Sequence, residues 1–303
     1  MTSRGEPAYA GEHGRYDPAA ALPPEALPGD RAAPASRAGR NLPAALAVGL
    51  GLGGLVLASL ILYRPAFALI VVIAVGLGCW ELVNAVGKVD AHPPLIPLLA
   101  GLAAMETLAW LRGAEALAIA FLLTGLAIMV WRLVDGPQGY LQDVATGVLI
   151  AMYAPFLAGF AILLAHPDDG AKRIIAFIAA VVCNDTFGYA TGVFFGKHPL
   201  APTVSPKKSI EGFAGSLVGC TIFGIAYLVF AFDADWWQGA LFGLALAVTS
   251  TLGDLGESMI KRDLGVKDMG NLLPGHGGLM DRLDSLLPSA AVAYLLLTAF
   301  VPV

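Results

Sequence analysis

Nine apolar runs follow one another from Pro43 to the C-terminus with short polar breaks between them, each close to the length that carries a helix across about 30 Å of hydrocarbon. They cover approximately 43–62, 66–86, 94–111, 114–134, 144–165, 173–195, 213–232, 236–253 and 286–302. Strands of a membrane barrel alternate polar and apolar residues, whereas these runs are continuous, and a continuous run satisfies its own backbone in lipid only as a helix. The expected fold class is all-α: a polytopic membrane helical bundle with about nine transmembrane helices. Composition agrees, with 57% hydrophobic and 14% charged residues and a mean hydropathy of +0.73. Cys79, Cys183 and Cys220 are odd in number and sit inside apolar runs, so they read as small buried hydrophobes, not as a disulfide framework or zinc site. A net charge of -5 without a basic, aromatic-rich stripe indicates no nucleic-acid partner.

Residues 1–40 are rich in Ala, Pro and Gly and hold too few large apolar residues to build a core, so a disordered cytoplasmic tail is expected there. No short apolar core with a cleavage site precedes the first long run, which argues against a signal peptide. The domain expected is 41–303, membrane-embedded, with its catalytic half at about 173–303. Lys197, Lys207 and Lys208 in one loop and Lys261, Arg262, Lys267 and Arg282 in another place both loops in the cytoplasm. Counting spans from there puts the tail inside and Val303 outside. Arg64, Arg112, Lys172 and Arg173 then fall outside, against the rule.

Ionisable groups inside membrane helices are costly, and Glu81, Asn84, Glu106, Asn184 and Asp185 stand in the apolar runs. For Glu81 and Glu106 a helix-end position or an interhelical hydrogen bond is a sufficient account. Asn184 and Asp185 sit together mid-span, followed at intervals of four by Gly188, Gly192 and Gly196, a face suited to close helix contact. The next loop carries Pro199, Pro202 and Pro206, which prevent a helix, beside Ser205, Lys207, Lys208 and Ser209. Such a loop suits either anionic headgroups or a phosphate-bearing substrate.

The densest charge lies between Asp254 and Asp284. If the eighth span continues as a helix past Gly253, then Asp254, Glu257 or Ser258, and Lys261 share one face. Gly270, Pro274, Gly275, Gly277 and Gly278 enforce a loop able to bring backbone N–H groups to an anion. His276 has no second His or Cys nearby, so a loop hydrogen bond suits it better than a metal. Asp281 and Asp284 stand three apart at the start of the last helix. Carboxylates there complement a helix dipole. Three carboxylates, Asp254, Asp281 and Asp284, bracketing a glycine loop and two lysines also suit oxygen-ligated Mg²⁺ holding a polyphosphate.

The run from Ser258 to Asp284, SMIKRDLGVKDMGNLLPGHGGLMDRLD, resembles the signature of the phosphatidate cytidylyltransferases, or CDP-diacylglycerol synthases, as do the preceding GDLGES and the upstream NDTFGY and SPKKSIEG. Ser209 stands where that family commonly has Thr, which keeps the hydroxyl, and Gly188 where Ala is common. The likeness spans about 40–303 in architecture, though the first five spans match only in hydropathy. It implies an enzyme of phospholipid biosynthesis, a nucleotidyltransferase passing the cytidylyl group of CTP to phosphatidic acid. The products are CDP-diacylglycerol and pyrophosphate. The phosphate monoester is largely anionic at neutral pH, so the reaction needs charge neutralisation and positioning more than a dedicated base. On that resemblance Lys261, Asp281, Asp254 and Asp284 carry the chemistry, and Asp254, Asp281, Asp284 and Asp185 hold Mg²⁺, as one ion or two, with a monovalent cation allowed. Ser205, Lys207, Lys208, Ser209, Ser258, Lys267, His276, Gly277, Gly278 and Arg282 then contact substrate. It further implies a multi-pass protein of the cell's inner (plasma) membrane, working in the bilayer with its site facing the cytoplasm, and allows a homodimer.

Two other readings stay open on the residues alone. A CTP-dependent polyprenol kinase uses a similar site but releases CDP instead of pyrophosphate. A secondary transporter would also accommodate nine spans and intramembrane acids, but no internal repeat is visible, and the charges gather in loops instead of along a path.

Overall fold

The structure, a computed structural model, describes residues 42–272 and 277–302, so the expected tail, the central GHGG residues up to His276 and the final Val303 lie outside the described residues. Among the described residues the main elements are eleven α-helices and one hairpin, in the order α1 (Leu42–Leu62), α2 (Arg64–Val86), α3 (Leu95–Arg112), α4 (Ala114–Arg132), α5 (Tyr140–Ala151), α6 (Leu157–Ala165), α7 (Gly170–Phe195), β1 (Pro199–Ala201), β2 (Ser205–Ser209), α8 (Ile210–Phe232), α9 (Trp236–Asp263), α10 (Met280–Leu283) and α11 (Leu286–Phe300). Among the described residues eight spans are long and apolar enough to cross a membrane, with α5 and α6 joined as Tyr140–Ala165 and α10 and α11 as Met280–Phe300. The 21-residue helix α1 precedes them, in keeping with about nine expected crossings. The chain is an all-helical membrane bundle.

Local chemistry sets the helix boundaries. Pro65 opens α2, where its missing N–H costs nothing. Asp235 and Gln238 form a reciprocal capping box at the start of α9, and the Ser209 hydroxyl accepts from the Gly212 N–H at 3.0 Å to cap α8. Pro155 would break a regular helix in mid-span; a π turn over Met152–Phe156 absorbs it between α5 and α6. The prolines of the 199–206 loop do prevent a helix, and the segment folds as an antiparallel β1–β2 pair.

Helices α7, α8 and α9 pack closest because glycines remove the side chains between them. A Cβ on Gly224 would fall 2.3 Å from the Gly239 carbonyl, and one on Gly243 2.1 Å from that of Cys220. Apolar side chains face both ways: Leu98, Ile162, Phe242 and Leu246 are buried, while Phe230 is 94% exposed on the surface that lipid would cover.

The connections gather at two ends. At one, Arg64 donates to the His166 and Pro167 carbonyls, Lys172 to Ala231 O, and Arg173 to Leu297 O and Val301 O. At the other, Asp143 accepts from the His92 N–H and from Arg132, and the hairpin meets the end of α9.

Candidate active site

The hairpin end contains a cavity of about 510 Å³ between α7, α8, α9 and β2. The glycine face of α7 both packs and lines it: a Cβ on Gly188 would lie 2.5 Å from Ser216 Oγ, and Gly192 faces Gly212. Asn184 ties the three helices together. Its Nδ2 donates to Ser250 Oγ and Asp185 Oδ1, both at 3.1 Å, its Oδ1 accepts from Thr251 at 3.2 Å, and its carbonyl accepts from Ser216 at 2.7 Å. Asp185, Lys207, Lys208, Ser209 and Asp254 supply the polar lining, and Tyr189, Val193, Leu200 and Phe213 the apolar wall.

Helix α9 continues past Gly253 to Asp263, so Asp254, Glu257, Ser258 and Lys261 do share a face. Lys208 on β2 makes an ion pair with Asp254, and Arg262 Nε reaches Val204 O at 3.3 Å. The SPKKS loop and the charged stretch are therefore direct partners. One turn further on, Lys261 bridges Glu257 and Asp281, the latter at 2.8 Å. Asp281 also accepts from the backbone N–H groups of Met269 and Gly278, which draws the loop after α9 round the carboxylate. Gly277, at φ 84°, supplies the turn that makes this possible. Asp281 belongs to the one-turn helix α10 and Asp284 caps its end, in the break at Asp284 and Ser285 that separates α10 from α11, instead of both opening a single last helix. The Ser285 N–H donates to Asp284 Oδ1 at 2.6 Å.

The remaining expected residues divide. Ser258 Oγ reaches Asp254 Oδ1 at 3.4 Å, Ser205 begins β2, and Arg282 is in electrostatic range of Asp185. Ser209 lines the cavity while capping α8. Lys267 is exposed on the loop after α9 and does not line the cavity, and His276 lies outside the described residues.

Two groups stand out that sequence reasoning left off the site. Glu257 is fully buried; its Oε2 takes Lys261, while its carboxyl lies against that of Asp284, which is in turn in the field of Asp254. Its place on the Asp254 and Lys261 face was the available signal. Glu81 on α2, 1% exposed, accepts from the Met280 N–H at 2.8 Å and so fixes the start of α10 from the first half of the chain. Gly270 and Gly278 leave the room that its carboxylate occupies.

As a metal site the arrangement offers hard oxygens only. Among the described residues no three His, Cys, Asp or Glu side chains converge to hold an ion by themselves, and Asp281 is already engaged by Lys261 and two N–H groups. The paired Glu257 and Asp284 carboxyls, with Asp254 in electrostatic range of Asp284, nonetheless suit a hard cation that takes its other ligands from phosphate oxygens.

A sequence profile described as the cytidylyltransferase family matches residues 44–300. The phosphatidate cytidylyltransferase of Mycobacterium leprae (strain TN) is 47% identical over 279 residues, covering 86% of this chain and 89% of that protein. The protein of the same name from Mycobacterium tuberculosis (strain ATCC 25618 / H37Rv) is 43% identical over 276 residues, 87% of this chain and 84% of its own length. That of Thermotoga maritima is 34% identical over 165 residues, 52% of this chain and 61% of the relative.

Proposed function

The chain belongs to the cytidylyltransferase family, and from that premise we propose that it transfers the cytidylyl group of CTP to phosphatidic acid, forming CDP-diacylglycerol and pyrophosphate for phospholipid synthesis. The observation that carries the substrate side of this reading is the 510 Å³ cavity, where Lys207 and Lys208 of the hairpin face Asp185 and Asp254 beneath an apolar wall. Two polyanions and an acyl-bearing headgroup need that combination.

In the reaction a phosphate oxygen of phosphatidic acid attacks the α-phosphorus of CTP, and the bond from that phosphorus to the bridging oxygen breaks. The electron pair leaves with pyrophosphate. The attacking oxygen is already anionic, so no side chain need remove a proton. The work falls to positioning and charge compensation. Lys207 and Lys208 bind the polyphosphate, Lys208 exchanging its Asp254 partner for a phosphate oxygen. Lys261, held by Glu257 and Asp281, fixes the carboxylate face. Asp254 and Asp284 would share Mg²⁺ with phosphate oxygens, Glu257 lying against Asp284, with Asp185 flanking them and Asp281 contributing through Lys261. When bound there, Mg²⁺ offsets the charge of the nucleotide phosphates and supplies a template for their orientation. Tyr189, Val193, Leu200 and Phe213 receive the apolar part of the lipid. The basic hairpin and the α9 end lie on one side of the bundle, which supports a site facing the cytoplasm of the cell's inner membrane.

The test is purified protein in detergent with phosphatidic acid, CTP and Mg²⁺, following pyrophosphate and CDP-lipid together. Equal yields of both are expected. Neither product, with CDP released on a polyprenol instead, would reject the assignment in favour of a kinase.

A further inference from the structure

Glu81 is a costly residue for a helix contact. A carboxylate 1% exposed inside a membrane helix is unfavourable unless it is bound, and a smaller neutral side chain could make an ordinary interhelical hydrogen bond. Its partner is instead the backbone that follows a loop: Oε2 accepts from the Met280 N–H at 2.8 Å. The face of α2 made by Gly78, Glu81 and Leu82 is shaped for that segment. A Cβ on Gly78 would stand 3.3 Å from the Met280 Sδ, and Leu82 joins Met269 and Met280 in one apolar cluster. On the loop's side, a Cβ on Gly270 would lie 2.1 Å from Glu81 Oε1, and one on Gly278 2.8 Å from Oε2. Gly270 has no left-handed φ to account for its missing side chain, so the carboxylate accounts for it.

Met280 directly precedes Asp281, whose carboxylate accepts from the Met269 N–H at 3.1 Å, the Gly278 N–H at 2.8 Å and Lys261 at 2.8 Å. Three amides of one segment thus point into two carboxylates, one on α2 and one on α10. Lys261 holds the Asp281 side chain, and Glu81 holds the backbone next to it. Glu81 does not line the 510 Å³ cavity, so any effect on substrate passes through its neighbours. We propose that Glu81 is a positioning residue of the cytidylyl transfer: by accepting the Met280 N–H it sets the place of Asp281, and through Asp281 that of Lys261 on the carboxylate face of α9. This rests on the cytidylyltransferase reading for its reaction, though not for the loop contact.

Glu81→Met and Glu81→Gln in the full-length protein separate an acceptor from a space-filler. Met fills the volume of the carboxylate side chain without accepting the N–H, whereas Gln keeps a carbonyl oxygen in its place. Turnover per folded molecule should fall about thirtyfold with Met, as loss of one charge-assisted hydrogen bond implies, and by no more than about fivefold with Gln. The KM for CTP should change by no more than about threefold in both, because the cavity lining is untouched. Hydrogen exchange at the Met269, Gly278 and Met280 amides should quicken about tenfold with Met and stay near wild type with Gln. Gly270→Ala reaches the same contact from the loop: its Cβ displaces the carboxylate, and turnover should fall as it does with Met. Adding Glu81→Ala removes that clash, and should restore the melting temperature of Gly270→Ala but not its turnover. Wild-type turnover or wild-type exchange in Glu81→Met overturns the proposal. So does a Gln variant that loses as much as Met, and so does recovery of turnover in the double variant. If Glu81→Met does not fold, the two Gly270→Ala proteins still decide. If the wild type makes no CDP-lipid, the reaction assignment fails, and hydrogen exchange still decides whether Glu81 holds the loop.

Discussion

The two ends of the bundle use their cations differently. At the end away from the hairpin, Arg64, Lys172 and Arg173 bind backbone carbonyls where α6, α8 and α11 finish, positions at which a helix presents unpaired acceptors and partial negative charge. Arg173 is 2% exposed, and Asp169 completes its shell at 2.7 Å. At the hairpin end, Lys208 and Lys261 pair with carboxylates instead. Arg64 and Arg173 also reach the carboxylates of Asp168 and Asp169, at 3.4 and 2.7 Å, but their remaining contacts are carbonyls fixed in the fold. A lysine on a carboxylate can trade it for phosphate once a cation has taken the acid. Three of the four basic residues that run against the positive-inside expectation are thus helix-end fasteners, and the lysines that the proposed reaction would use lie at the other end.

That contrast is most exposed at Lys261. Lys261→Met removes the bridge between two nearly buried carboxylates, and pyrophosphate release should fall by about a thousandfold. Activity within tenfold of wild type would show that the hairpin-end lysines are fasteners too. Next comes Arg173→Met, which should remove about 3 kcal/mol of stability by leaving helix-end carbonyls and Asp169 unpaired. The melting curve reads this loss, while turnover per folded molecule stays within twofold. A tenfold loss of turnover at unchanged melting temperature would break the distinction from the other side. The smallest effect belongs to Lys208→Ala, expected to raise the KM for CTP by about tenfold with little change in melting, because a partly exposed pair contributes at most about 1 kcal/mol to stability. No change in KM would remove Lys208 from the exchangeable set.

Much of this was legible in the residues because lipid leaves so few solutions. Continuous apolar runs dictated helices, and the i, i+3, i+7 spacing of Asp254, Glu257 and Lys261 placed them together once α9 was known to continue. The pairing of the hairpin with α9 followed from opposite charge on one side of the membrane. What escaped were contacts made at right angles to the sequence pattern. Hydropathy says that Glu81 is in a helix, but not that α2 points it at the Met280 N–H. It registers Pro155 only as a break in the fifth run, and the way that break is absorbed, as a π turn over Met152–Phe156, depends on the neighbouring helices. The anchoring of Arg64 and Arg173 on carbonyls was equally hidden, since every residue type offers the same backbone acceptor.

The Glu81 contact has a consequence for biosynthesis. Its two partners are 199 positions apart, and the chain is made from its N-terminus. Helix α2 enters the bilayer while α10 has yet to be translated, so for most of synthesis that acid waits without its N–H. The segment that relieves it also carries Asp281 and Asp284. Every earlier helix could be inserted and the candidate site would still lack these two carboxylates; it is completed only with the last crossing.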